Sequence, residues 1–180
     1  MSGHSHWKQI QHKKGTADQK RGQVFSKLLM AISIAARQEP NPDFNPRLRS
    51  AIEKAQENQV PLENIERAIK KASENKNLGE IVIEAYGPES VAMIIEGITD
   101  SKNRTIAEIR HLLNENGAKM ADPGSVLWSF SAEGGSASGG EKQWKPKFQQ
   151  SLSDEAKQKL NDLIAKLEEH QDIQKVITNI

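Results

Sequence analysis

The stretch from residue 4 to residue 37 constrains the fold most, because its charged and apolar residues fall on different sides of one helix. The apolar residues recur at three- and four-residue spacing: Phe25, Leu28, Leu29, Ile32, Ala35 and Ala36. Lys13, Lys20 and Lys27 follow one another at seven-residue intervals, which places them on another side. Seven lysines and arginines stand against one acid, Asp18. We therefore expect a helix that packs on one side and meets an anion on the other.

Prolines and N-cap residues divide the first part of the chain into an arm and three helices. Residues 3–15 are predicted to form a basic arm, with Thr16 or Asp18 capping a helix that ends near residue 37. Three prolines in residues 38–46 then break the chain, and Asn45-Pro46 is typical of the start of a second helix. Pro61 opens a third helix. The sequence thus predicts a basic arm and a three-helix domain over residues 1–75.

The periodicity of the sequence changes near Gly79, where runs rich in β-forming residues indicate strands. Two strand-like runs, 81–86 and 91–98, flank a turn and predict a hairpin. A helix follows, and we interpret the polar run 99–105 at its start as an N-cap with solvated neighbours. Residues 125–130 are predicted to form a third strand.

A Gly/Ser-rich segment, residues 133–142, interrupts the second domain and has no capacity to form a core. Ser153 is predicted to cap a further helix, and residues 175–180 alternate like a last strand. The order ββαβ, linker, αβ predicts an α+β protein whose second domain is a small α/β sandwich. In it, two helices cover one face of a mixed or antiparallel sheet. This domain comprises residues 79–132 and 143–180.

Composition and motifs argue against several classes of function. The chain has no cysteine, which excludes disulfides and thiolate chemistry. It has neither a run of ~18 apolar residues nor the apolar core of a signal peptide, so we expect a cytoplasmic protein with no membrane partner. Nucleotide-binding, hydrolase and metalloprotease motifs are missing, so we expect no enzymatic activity, no cofactor and no small-molecule substrate. His4, His6 and His12 match no standard metal-site spacing, and we expect no metal.

The net charge of +1 conceals an asymmetry along the chain. Residues 1–71 hold 13 Lys and Arg against 7 Asp and Glu, whereas residues 72–180 hold 12 against 17. Such asymmetry indicates that the first part meets a polyanion. The candidates for nucleic-acid contact in the arm and first helix are His4, Ser5, His6, Trp7, Lys8, His12, Lys13, Lys14, Lys20, Arg21 and Lys27. A second basic patch comprises Arg47, Arg49, Arg67, Lys70 and Lys71.

Trp7 admits two interpretations. Beside Lys8 and His12 it could stack on an unpaired RNA base, or it could pack with Ile10 against the helical domain. The two roles can coexist on opposite edges of the ring. The basic stretch lacks the Asn, Gln and Arg array with which a recognition helix reads bases in the major groove, which favours recognition of backbone and shape.

Several segments, in order, are similar to one known family. The segments GHSHWKQIQHKKGTADQKRGQVFSKL, NPRLRSAIEKAQENQVPLENIERAIKKA, YGP, TDSKNRTIAEIRH and GSV resemble the YebC/PmpR family, which includes the mitochondrial translational activator of cytochrome c oxidase. The resemblance covers about residues 3–130 and resumes at residues 144–180. It implies a helical N-terminal domain and two α/β domains, the third inserted into the second. Members are commonly described as DNA-binding transcriptional regulators, and others as ribosome-associated translation factors.

The chain departs from the family pattern at three places. The linker 133–142 stands where the family has its inserted third domain, so functions that depend on that domain are not implied here. His6 replaces a lysine that is usual in the family. Glu89-Ser90 replaces the glycine pair that usually follows YGP.

The sequence is compatible with three functions. The first is a non-enzymatic regulator of gene expression that binds RNA phosphates through its basic arm and helix and associates with the ribosome. The second is a DNA-binding transcriptional regulator, which is the family's customary description. The third is an adaptor whose basic face meets an acidic protein.

Overall fold

A computed structural model describes the backbone of residues 4–74, 77–134 and 142–180, and the side chains of these ranges from Asp18 onward. The helical part contains α1 (His4–Ala35), α2 (Pro46–Glu57) and α3 (Leu62–Lys70). None of the helices in these ranges is both long and apolar enough to cross a membrane.

The predicted arm is wrong, because α1 is one helix from His4 onward and does not begin at Thr16 or Asp18. A capping residue starts a helix only where the preceding residues cannot continue it. Residues 4–15 contain no proline, and Gly15 alone costs a helix only about 1 kcal/mol. The helix therefore runs through both capping residues.

Asn45 joins the end of α1 to the start of α2. Its side-chain oxygen accepts a hydrogen bond from the backbone N–H of Leu48 at 3.0 Å, which confirms the predicted cap. Its amide nitrogen donates to the carbonyls of Ala35 and Glu39 at 2.8 and 2.7 Å. The three helices enclose a core built from these buried residues: Ile32, Ala35, Ala36, Leu48, Ala51, Ala55, Val60, Ile65 and Ala72.

The second part of the chain forms two antiparallel sheets and two helices. Its elements are β1 (Gly79–Tyr86), β2 (Ala92–Thr99), α4 (Lys102–Glu115), β3 (Lys119–Met120), β4 (Phe130–Glu133), β5 (Gln143–Pro146), α5 (Asp154–Glu169) and β6 (Ile173–Thr178). The larger sheet has the order β3-β1-β2-β6, and its three pairings are all antiparallel. The smaller sheet is β4 paired with β5. The α+β fold class is thus confirmed.

The two faces of the larger sheet are covered differently. Helices α4 and α5 lie on one face, around buried Met93, Ile95, Ile109 and Leu163, which confirms the prediction of two helices on one face. The opposite face packs against the β4–β5 sheet and the segment before it. The buried residues on that side are Ala92, Ile94, Val126 and Phe130.

The predicted third strand is wrong over most of its length, because only Phe130 of residues 125–130 belongs to a strand. The buried carboxylate of Glu84 accepts hydrogen bonds from the backbone N–H groups of Gly124, Val126 and Leu127 at 2.5, 2.6 and 2.8 Å. These donors are therefore not available to a strand ladder, and the segment curls around the carboxylate.

Two other predicted boundaries shift. The last strand is Ile173–Thr178, two residues earlier than predicted, because Ile173 is fully buried in the core. Glu133 ends β4 and therefore does not belong to the linker; residues 135–141 of that linker lie outside the described range.

The turn after Tyr86 explains why glycines would suit this position. Glu89 and Ser90 adopt φ values of 51° and 62°, the left-handed region that non-glycine residues disfavour. The Glu89 carboxylate accepts a hydrogen bond from the Ser153 hydroxyl at 2.6 Å, and the Glu89 carbonyl accepts one from the Gln150 amide at 2.7 Å. These contacts join the turn to the start of α5 and offset the backbone strain.

Gly97 permits a close approach between β2 and Asp172, the residue before β6. The pairing of the two strands shifts register at this residue, and Ile98 donates its N–H to the Asp172 carbonyl at 2.8 Å. A Cβ on Gly97 would lie 2.7 Å from that carbonyl oxygen and 3.1 Å from the Ile81 side chain. The lack of space therefore disfavours any residue with a side chain at this position.

We expect Gly97→Ala to destabilise the protein by about 1–3 kcal/mol, because a backbone oxygen must move to admit the methyl group. Gly22→Ala is the matched control, since a Cβ on this helical glycine would meet nothing within 4 Å. That variant should be stabilised by roughly 0.5–1 kcal/mol through helix propensity. Urea denaturation measures the free energy of unfolding of both variants. An equal change in the two variants would contradict the close contact at Gly97.

Candidate nucleic-acid interface

Helix α1 carries the first group of predicted contact residues. At ~1.5 Å per residue its 32 residues extend about 48 Å. The side chains of His4, Ser5, His6, Trp7, Lys8, His12, Lys13 and Lys14 lie outside the described part, and only their helical backbone is defined. Sequence spacing places Lys13 on the same side of α1 as Lys20, about 10 Å nearer the N terminus.

The segment of α1 just before the core is exposed. Residues 18–22 are all exposed, and they span more than one complete helical turn. No residue of this turn is therefore buried, although Lys20 and Arg21 contact neighbouring elements. Burial begins further along the helix, where Phe25 and Leu28 pack against the core of the helical part.

Lys20 and Lys27 lie against the C-terminal end of α5. The Lys27 ammonium donates a hydrogen bond to the backbone carbonyl of Glu168. The Lys20 ammonium lies 3.5 Å from the Glu169 carboxylate, and both of these side chains are largely exposed. Lysine ammonium groups suit this position because the carbonyls at a helix C terminus carry partial negative charge. The structure thus directs two of the predicted phosphate contacts toward an intramolecular partner.

Burial distinguishes Lys27 from Lys20, which is exposed. Desolvation lowers the pKa of the Lys27 ammonium below its usual value, and the negative charge of Glu168 opposes this decrease. The half-buried ammonium is committed to the α1–α5 contact, so it contributes less to an external anion site than its sequence position indicates.

Arg21 contacts the helical part from which α1 extends. Its guanidinium lies 5.3 Å from the centroid of the Phe25 ring and donates a hydrogen bond to the Gln59 side chain at 3.2 Å. The residue nevertheless remains exposed, so its charge is accessible from solvent.

The second predicted patch divides into engaged arginines and exposed lysines. Arg47 forms an ion pair with Glu80 of β1 and so links the two parts of the chain. Arg49 donates to the carbonyls of Pro42 and Asp43 at 3.1 and 3.0 Å, which holds the loop before α2.

The remaining members of this patch lie at the C-terminal end of α3. Arg67 pairs with Glu63 one turn earlier, at 2.7 Å. Lys70 and Lys71 are exposed, and cations at this end also complement the helix dipole. Among the described residues, no acidic side chain contacts Lys70 or Lys71, so both ammonium groups are accessible.

Sequence reasoning missed a buried polar cluster at the start of α4. The Asp172 carboxylate accepts hydrogen bonds from Arg104 at 2.9 Å and from the Thr105 hydroxyl at 2.6 Å. Thr99 lies 2.8 Å from Thr105 and accepts a hydrogen bond from the N–H of Ser101 at 3.0 Å. The polar run 99–105 therefore binds a buried carboxylate, and no local pattern links it to a residue so distant in the chain.

Glu108, His170 and Asp172 bring three metal-type ligand atoms within 4.8 Å of one another. Both ring nitrogens of His170 are already engaged: Nδ1 accepts the N–H of Asp172 at 3.2 Å, and Nε2 lies 3.0 Å from Glu108. One carboxylate oxygen of Asp172 is bound by Arg104 and Thr105. The residues form a satisfied hydrogen-bond cluster, which does not fit a metal centre well.

We expect Asp172→Asn to destabilise the protein by about 1.5–3 kcal/mol, because it removes the charge from a buried acceptor bonded to Arg104. Asp100→Asn is the matched control, since Asp100 contacts the same guanidinium at 2.9 Å while its side chain is 71% exposed. That change should cost less than about 1 kcal/mol. Chemical denaturation measures the free energy of unfolding of both variants. An equal loss in the two variants would refute the central role of Asp172.

Two sequence profiles match the chain in succession. The profile of the TACO1/YebC protein N-terminal domain matches residues 5–75. The profile of the TACO1/YebC second and third domain matches residues 78–138.

Individual relatives agree with the profiles. A probable transcriptional regulatory protein of Dehalococcoides mccartyi is 49% identical over 138 residues, which are 74% of this chain and 55% of that protein. One of Persephonella marina is also 49% identical over 138 residues, with the same two shares. The chain thus spans about half the length of the curated relatives that it matches.

A solved structure shares the fold along nearly the whole chain. The crystal structure of a conserved hypothetical protein, Aq1575 from Aquifex aeolicus, superimposes with a TM-score of 0.79 at 32% identity, covering 97% of this chain and 96% of that one. Together with the two profile matches, this similarity shows that the chain belongs to the TACO1/YebC family.

Proposed function

We propose that this chain is a non-enzymatic, nucleic-acid-binding regulator of gene expression that acts in the cytoplasm as a ribosome-associated translation factor. The observation that supports it is the geometry of α1, which has exposed residues on every side at 18–22 and continues as a helix to His4. The residues before Asp18 include Lys8, Lys13 and Lys14 and no acid. They form the basic N-terminal part of the same helix.

Phosphate neutralisation is the function that this segment suits best. Lysines bound to phosphates release condensed counterions, which favours binding without any reading of bases. A helix that is already formed also avoids part of the ordering cost that a disordered basic arm would incur on binding. Lys70 and Lys71 at the end of α3 add two exposed cations to the helical part.

RNA is our preferred target because the basic helix lacks a base-reading array, which favours backbone and shape recognition. DNA is the second candidate, and one specific observation favours it. The relatives from Dehalococcoides mccartyi and Persephonella marina are named probable transcriptional regulatory proteins.

We expect Lys13→Gln combined with Lys14→Gln to weaken binding to structured RNA and to reduce the slope of log K against log salt by about 1.4–1.8, the value for two lost phosphate contacts. Lys157→Gln with Lys159→Gln is the control, since it removes the same charge from exposed lysines of α5 that pair with their own helix. Fluorescence anisotropy over a salt series measures both. An unchanged slope in the first variant would refute phosphate binding by α1.

Ultraviolet crosslinking in cells, followed by sequencing of the attached nucleic acid, distinguishes the two targets. We expect ribosomal RNA to be enriched with the wild-type protein and lost with the Lys13/Lys14 variant. Enrichment of a few promoter segments without ribosomal RNA would instead establish the DNA-binding alternative.

A further inference from the structure

Two aromatic rings are exposed on the α/β part, outside the surface described above. Trp128 is 62% exposed and Phe148 is 63% exposed. Their ring centroids lie 6.4 Å apart, and their planes are tilted by 51°. Large apolar rings grouped at a surface indicate a binding site more often than isolated ones do.

The Trp128 ring is held in place while it faces solvent. Its indole N–H donates to the Ser125 carbonyl at 2.8 Å. The Lys147 ammonium donates to the Trp128 carbonyl at 3.0 Å, which joins the residues that follow β5 to the turn that precedes β4. The ring is therefore fixed at one edge, and little of its conformational freedom remains to be lost on binding.

The segment that carries Phe148 is basic within an acidic half of the chain. Residues 142–150 contain three lysines and no acid, whereas residues 72–180 as a whole carry an excess of acids. Trp144 is only partly exposed and packs toward the sheet, while Lys145 and Lys147 are exposed. Lys145 pairs with Glu133 at 2.5 Å, and Lys147 has no carboxylate partner among the described residues.

We propose that Trp128, Phe148 and Lys147 form a second nucleic-acid site, which binds single strands by stacking bases on the two rings. The interleaving of lysines with exposed rings fits this ligand, because each nucleotide offers a π face beside a phosphate. The inference rests on the proposed nucleic-acid function and adds a contact in the other part of the chain.

The tilt between the rings selects single strands over duplexes. Planes at 51° cannot enclose one base between parallel faces, so each ring stacks on a separate base. Both bases must then be unstacked from their neighbours, which costs little in a single strand such as oligouridine and a few kcal/mol per base in a duplex.

The test compares a short labelled oligouridine strand with an RNA duplex of the same length. We expect Phe148→Leu to weaken oligouridine binding severalfold and Trp128→Leu combined with Phe148→Leu to weaken it roughly tenfold or more, with little effect on the duplex. Phe44→Leu is the matched control, because Phe44 is 76% exposed but lies in the loop before α2. Thermal denaturation verifies that each variant folds, and the single variant leaves the Trp128 hydrogen bond in place.

The outcomes separate this inference from the proposed function. If the wild-type protein binds both probes and the ring variants match it, the stacking site is refuted while the proposed nucleic-acid binding of the chain stands. Equal loss on strand and duplex also refutes it. Binding of neither probe by the wild-type protein refutes the proposed function together with the site.

Discussion

The buried carboxylate of Asp172 holds together the elements on which the rest of the structure depends. Its side chain binds Arg104 and Thr105 at the start of α4, and its carbonyl accepts the N–H of Ile98 where β2 passes β6. Asp172 also lies in the short segment between α5 and β6, and the last residues of α5 contact Lys27 of α1. A carboxylate buried in this way is costly unless every oxygen is satisfied, so its partners are constrained in position. The contacts of Lys27 and Lys20 with the end of α5 join α1 to this framework.

Some of the basic residues in the first part of the chain are paired within the molecule. Lys20 and Lys27 face the acidic end of α5, and Arg47 pairs with Glu80 across the two parts. Exposed pairs of this kind contribute little stability, but they reduce the charge that remains available to an external polyanion. Lys70 and Lys71, which are exposed at the end of α3, keep that charge. Net charge along the chain thus overestimates the extent of the binding surface.

Local signals predicted those parts of the fold that local contacts determine. The Asn45 cap, the β1–β2 hairpin and the two helices on one sheet face follow from neighbouring residues or from periodicity. The curl around Glu84 and the cluster at Asp172 could not be predicted, because each joins a side chain to donors distant in sequence. The predicted arm is wrong because a capping residue does not prevent the residues before it from continuing the helix.

The two proposed surfaces require different properties of one ligand. A rigid helix fixes its lysines at set separations, so it suits phosphates whose positions are also fixed, as in a folded nucleic acid. The tilted pair of Trp128 and Phe148 instead requires bases that are already unstacked. Duplex DNA supplies the first property and resists the second. Folded RNA supplies both, because its helices alternate with loops and single strands, and a protein that uses both surfaces would therefore discriminate between the two nucleic acids without reading a sequence.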